Sequence, residues 1–197
     1  MIRLRAVRRG RGLRGRTIGL LLPLVFGGTS PGFVKVLLFR PAFFGTPIGR
    51  YGDAVLRWPG RWAVGERELF GAAVSAGNAC GYCTGVHARI ATDCLGEPTV
   101  DALVRGRGEL PLDVGPAVAP MVAFLRRLSQ DPDGLTTTDV AALRAAGISD
   151  DAIREAAHAA ALLEVCNRVT SALGVDAMGP RGNRRAAALL LRSGYDL

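Results

Sequence analysis

ERELFGAAVSAGNACGYCTGVHARIA, residues 66–91, decides how this 197-residue chain folds and what chemistry it can carry. It reads as two helices, 65–76 and 79–95, with a short break at Gly77 and Asn78. Within it Cys80, Cys83 and His87 form a C-x-x-C-x-x-x-H run, and Glu68 stands twelve residues ahead of the first thiol. A cysteine reacts as the thiolate, so a reactive one needs a group nearby to remove or stabilise its proton. Asn78 is the expected N-cap of the second helix, which puts Cys80 in the first turn, where free N–H groups favour a thiolate. Cys83 and His87 follow at spacings of three and four, on the same helical face, close enough for a disulfide and for a proton transfer. Glu68, on the preceding helix, is placed to orient or recharge His87.

Two other readings of the run compete with a redox dithiol. Zinc is the main one, because C-x-x-C in a reducing compartment is more often metal-binding or redox-active than a structural disulfide. Cys94 cannot complete such a site: a continuous helix would separate it from Cys80 by about 21 Å. A zinc site would need Cys80, Cys83 and His87 with Glu68, and no second C-x-x-C exists to make a common finger. Inert packing is the other reading. The redox dithiol is preferred, with no cofactor and no metal.

At these residues the chain resembles the carboxymuconolactone decarboxylase superfamily, in its alkylhydroperoxidase D-like, peroxidase-related branch. The resemblance rests on residues 66–91. It extends to LTTTDVAALRAAGISDDAIREAAHAAALLEVCNRVTSALGV (135–175), and the lead-in FRPAFFGTPIGRYGDAVLRWPG (39–60) is similar. It implies an all-α, compact multi-helix bundle that reduces hydroperoxides. By resemblance, Cys83 is the peroxidatic cysteine and Cys80 the resolving one, together forming a redox-active Cys80–Cys83 disulfide. His87 and Glu68 are then the proton relay, and a dithiol or protein reductant regenerates the pair. One departure is that Tyr82 stands where that branch commonly has a second histidine between the cysteines. Tyr82 and Trp62 are candidate pocket residues, and Trp58 with Trp62, flanking Pro59–Gly60, could roof the pocket. The resemblance also implies a homo-oligomer, often trimer-based. The alternatives are a dithiol–disulfide reductase serving a separate peroxiredoxin, a decarboxylase-like lyase, for which a vicinal dithiol has no use, and a helical module holding zinc.

Composition agrees with one compact helical domain. Hydrophobic residues make up 49% of the chain and aromatics only 6%, so the core must be built from Ala, Leu and Val. Cys94 and Cys166 sit in apolar helical patterns and read as core, and four cysteines do not make a secreted disulfide scaffold. The net charge of +8 is concentrated at one end: residues 1–16 carry seven arginines and no acid, leaving +1 for the other 181 residues. Residues 1–17 therefore read as a basic, flexible tail and 18–197 as the single domain, with no specific nucleic-acid partner. The apolar run IGLLLPLVFGG (18–28) is too short to span a bilayer, which needs about 20 residues. It lacks a clean signal-peptide cleavage site, so a cytoplasmic location is expected.

Helices are expected at 34–39, 98–104, 114–129 and 138–146, the last capped by Thr136 or Thr137. Pro47 to Gly49 should break the N-terminal region. A long helix follows, capped by Ser149, with an apolar side through Ile153, Ala156, Ala160 and Leu163, and then a short terminal helix. His158 reads as a core or interface residue. Glu155, eleven residues before Cys166, loosely echoes the spacing of Glu68 and Cys80, but without a second thiol it makes no second site.

Overall fold

In a computed structural model the chain is described over residues 2–196, apart from Arg11, Gly27 and Thr29. The described residues form eleven α-helices and no strand, the all-α architecture expected. Two helices sit at its centre, α5 (Val64–Gly77) and α6 (Gly81–Leu95), joined by three residues into a hairpin. Around them pack α4 (Thr46–Leu56), α8 (Val118–Gln130), α10 (Asp150–Leu173) and α11 (Pro180–Ser193).

Small residues make this packing possible. Ala72 and Ala73 of α5, Ala88 and Ala91 of α6, and Ala156, Ala159 and Ala160 of α10 are all buried, which lets the helix axes approach closely. Larger side chains fill the gaps: Leu56, Leu69, Phe70, Ile90, Met121 and Leu163 are almost wholly enclosed. Local signals place several boundaries. Ser149 Oγ accepts from Ala152 N at 3.3 Å to start α10, and Gly174, with φ +64°, ends it. Thr136 precedes α9 (Thr137–Ala145), its N and Oγ1 both donating to Asp139 at 2.8 Å.

The structure corrects several expectations. Pro47 does not break the chain; it occupies the first turn of α4, where its missing N–H costs nothing. Asn78 does not cap α6. It lies at the C-terminal end of α5 and its Nδ2 donates to Glu164 Oε1 at 2.7 Å, while Cys80 itself is the N-cap of α6. Cys94 is exposed rather than core. His158, also exposed, meets Tyr51, with its Nδ1 3.3 Å from the phenol oxygen. Trp62 is buried. Its Nε1 donates to Ala152 O at 2.8 Å and its ring meets Phe70 edge-on at 4.9 Å.

The basic arm, read as a flexible tail, holds α1 (Arg5–Arg9) and the first half of α2 (Gly12–Val25). Ile2 and Val7 are buried beside α3 (Gly32–Phe39), and Arg3 N donates to Leu173 O at 2.8 Å. Met1 and Arg11 of that arm, Gly27 of the apolar run after it, and the terminal Leu197 lie outside the described residues. Among the described residues no helix is long and apolar enough to cross a membrane.

Candidate active site

Cys80 reaches its position through an unusual turn. Ala79 has φ +52°, a left-handed conformation that an L-residue with a Cβ adopts only at a cost. It swings the chain so that Cys80 caps α6, with its thiol beside the Tyr82 and Cys83 N–H groups that open the helix. Cys83 lies one turn on, its thiol next to that of Cys80. Chiefly through the hydrogen bond between them, and despite burial, the Cys80 thiol is brought down to about 7. Cys83 moves the opposite way: the bond with Cys80 and burial both hold its proton on. Its sulfur also lies 3.7 Å from Thr170 Oγ1 on α10. The neighbouring thiols are thus shifted in opposite directions, Cys80 down and Cys83 up.

His87, one turn beyond Cys83, meets Glu68 across the hairpin, with Nδ1 2.6 Å from Oε2. An ionised carboxylate only accepts, so Nδ1 carries the proton and Nε2 is the nitrogen left free to exchange one. Gly71 lets α10 come close to α5, since a Cβ there would stand 3.2 Å from Leu163. Glu68 is completely buried. Burial alone would raise its pKa, but the bonds to His87 and Arg57 outweigh it and hold the carboxyl below its ordinary range.

Two residues absent from the sequence reading complete this cluster. Arg57, at the end of α4, donates from Nη1 to Glu68 Oε1 at 2.5 Å. Tyr195, beyond α11, donates its hydroxyl to the same oxygen at 2.9 Å. The Tyr195 ring stacks on His87, 6.1 Å between centroids and 14° between planes, while the Arg57 guanidinium lies 4.7 Å from its centroid on a cation–π contact. Burial and the Glu68 charge push the Tyr195 phenol well above its usual pKa, so it remains a donor. Glycines on α4 admit the C-terminal segment: a Cβ at Gly52 would fall 2.9 Å from Tyr195 Cβ. Asp53 then fixes it, accepting from Tyr195 N at 2.6 Å and Asp196 N at 3.2 Å. A carboxylate placed among apolar helix residues demands a cationic partner, and that is the one signal in the sequence that could have sent the search toward Arg57.

A cavity of about 100 Å³ reaches this cluster, lined by Cys83, His87, Tyr82, Tyr195 and Cys166 with an apolar wall that includes Phe33 and Leu162. Tyr82 lines this cavity and Trp62 does not. Cys166 is buried as expected but borders the cavity, and burial pushes its thiol up to about 12. The structure thus gathers Glu68, Cys80, Cys83 and His87 in one place, with Cys83 and His87 bordering the cavity. Glu155, the echo of Glu68, serves the scaffold instead, pairing with Arg67 Nη2 at 2.9 Å and accepting from Arg61 N at 2.7 Å.

No protein-family model matches the chain, and no curated protein does. Solved structures do. One is an alkylhydroperoxidase AhpD core, an uncharacterized peroxidase-related protein from Ralstonia eutropha JMP134, 25% identical over 91% of this chain and 93% of that one, with a TM-score of 0.68. Another, an uncharacterized peroxidase-related protein from Silicibacter sp. TM1040, is 18% identical over 93% of this chain and 95% of its own, with a TM-score of 0.72. The fold is that of the alkylhydroperoxidase D-like, peroxidase-related proteins.

Proposed function

We propose that this chain is a dithiol peroxidase that reduces hydroperoxides through Cys80 and Cys83. The observation that carries the reading is the placement of the pair, with Cys80 at the α6 N-cap and Cys83 one turn on, bordering a cavity that His87 also lines. The first step moves the Cys83 proton onto the Cys80 thiolate, and Cys83 sulfur attacks the distal peroxide oxygen as the O–O bond breaks. The departing alkoxide takes the proton from Cys80, leaving an alcohol and a Cys83 sulfenic acid. The Cys80 thiolate then attacks the Cys83 sulfur and expels hydroxide, which is protonated to water. His87, its Nδ1 held by Glu68, is the group placed to deliver that proton. Two electrons pass from the sulfurs to the peroxide, and an external dithiol or protein reductant restores the pair by exchange.

Both thiols are almost wholly buried, which favours a small peroxide over a protein disulfide as the substrate. A separate peroxiredoxin as the partner is the competing role. The trimer-based homo-oligomer belongs to this reading through the sequence resemblance, and the cytoplasmic location through an apolar run, 18–28, without a clean cleavage site. The test is hydroperoxide consumption by the reduced protein with a dithiol donor, with and without added peroxiredoxin. Consumption by the protein alone, lost on Cys83→Ser, is the expected result. Turnover that appears only with the peroxiredoxin would transfer the assignment to a disulfide reductase, and full activity in the Cys83→Ser variant would sink the dithiol mechanism.

A further inference from the structure

The N-terminal quarter of the molecule has no place in the thiol chemistry, and its surface is the least like that of a free-standing soluble domain. Residues 1–52 contain ten cationic residues and no carboxylate, whereas the remaining 145 carry 15 cations against 17 acids. On the same segment Leu20 and Leu24 of α2 stand 78% and 74% exposed, and Phe43, in the wide turn Pro41–Gly45 that follows α3, 81%. Leu13, Leu21 and Val25 extend the apolar surface along α2. Apolar and cationic residues both flank α2 grooves. Ile18 of α2 and Phe43 border one groove, and a second groove of about 440 Å³ beside Leu20 is lined by Arg8, Arg9, Arg16 and Lys35. Large exposed apolar residues contiguous with a cluster of cations mark an interaction surface.

We propose that this face, α2 with the turn after α3, docks on anionic lipid bilayers, with the leucines and Phe43 entering the acyl boundary and the four-cation groove receiving lipid phosphates. The geometry is that of an interfacial helix, whose apolar side chains sink by about 5–10 Å while basic ones remain among the headgroups. The charge pattern argues against this face pairing with itself. A two-fold pairing of this face would set cations against cations, because the segment offers no acid to meet them. The leucines argue against nucleic acid, which gives exposed aliphatic side chains nothing to bury against. Phe26, one residue past α2, and Phe33 on α3 also form part of the cavity wall, so docking would set that wall toward the membrane side of the molecule.

The test is flotation of the full chain with vesicles of phosphatidylcholine alone or with about 30% phosphatidylglycerol, at about 0.1 M and 0.5 M NaCl. Binding is expected only to the anionic vesicles and is expected to fall at high salt. Arg9→Glu with Arg16→Glu should weaken it by about fivefold or more for each arginine. Leu20→Glu with Leu24→Glu should weaken it by about tenfold or more. All four side chains are exposed, and circular dichroism confirms that each variant is folded. Cys83→Ser should bind as well as the parent, which separates this inference from the peroxidase reading. No binding to anionic vesicles, or binding indifferent to both pairs of substitutions, overturns the proposal. So does a lipid-free oligomer that the leucine pair dissociates, which would assign the face to a second copy.

Discussion

Replacing Cys83 with alanine isolates the interaction that sets the acidity of its neighbour. The S–H of Cys83 is the foremost cause holding the Cys80 thiol at about 7, ahead of the two backbone N–H groups. Without it the Cys80 pKa should climb toward the free-thiol value of about 8.5. At pH 7 the thiolate fraction would then fall from about one half to about 3%, roughly sixteenfold. A more basic thiolate is also the better nucleophile. With a Brønsted coefficient of about 0.45 it regains about fivefold, so the observed rate drops by only about threefold. The midpoint of the pH profile is therefore the decisive readout. Alkylation with iodoacetamide, mapped by mass spectrometry, should label Cys80 first in the parent, rising with pH through about 7 and levelling above. In Cys83→Ala the midpoint should move up by about 1.5 pH units, and in Cys83→Ser, which keeps an O–H donor, by less. The sign follows from linkage: a thiol with a depressed folded pKa adds stability above about pH 8.5 that is lost as pH falls through about 7. Preferential labelling of Cys83 in the parent, or an unmoved Cys80 midpoint in Cys83→Ala, would refute the assignment of the charge.

Three further substitutions probe the relay and the scaffold. Tyr195→Phe removes the 2.9 Å bond to Glu68 Oε1, and urea denaturation should register a loss of about 1.5–3 kcal/mol, as for a hydrogen bond to a charged acceptor. Peroxide turnover should fall with it while the Cys80 midpoint stays near 7. Arg57→Met leaves Glu68 buried with His87 and Tyr195 alone and should cost about 3–5 kcal/mol, with Glu68→Gln in the same background recovering part of it; no recovery would show that the loss is packing rather than charge. Trp62→Phe gives up the Nε1 bond to Ala152 O, so thermal unfolding should shift by the equivalent of about 1 kcal/mol while the KM for peroxide is unchanged; a raised KM would return Trp62 to the pocket.

The central hairpin was legible in the sequence because its signals are local. Cys80, Cys83 and His87 sit one helical turn apart, and Glu68 lies in the helix just before the break, so a short connection is enough to bring them together. Ser149 and Thr136 were readable as caps for the same reason, since a cap acts within three residues. Asn78 misled because the cap rules do not say which of two adjacent helices an asparagine serves. Here the pull of Glu164, 86 positions away, decides it. Exposure was harder still. The periodic pattern around Cys94 is apolar, but whether that stretch is covered depends on its neighbours in space, and it is not. Trp62 looked like a pocket roof because of its place beside Pro59–Gly60, yet its indole N–H is spent on α10.

Arg57 and Tyr195 were invisible because they reach Glu68 from 11 and 127 positions away on unrelated elements. That distance has a physical consequence for how the site works. The acidity of Cys80 comes mainly from residues 80–83, a single helical turn whose geometry survives so long as α6 begins where it does. The state of Glu68 and His87, by contrast, depends on the end of α4 and on a C-terminal segment held by Asp53 and admitted by Gly52. Forming the thiolate and supplying the later proton are thus supported by different parts of the fold. A disturbance at the C-terminus should leave a reactive dithiol with a weakened relay, whereas a disturbance at the Ala79 turn should remove the thiolate and leave the relay intact.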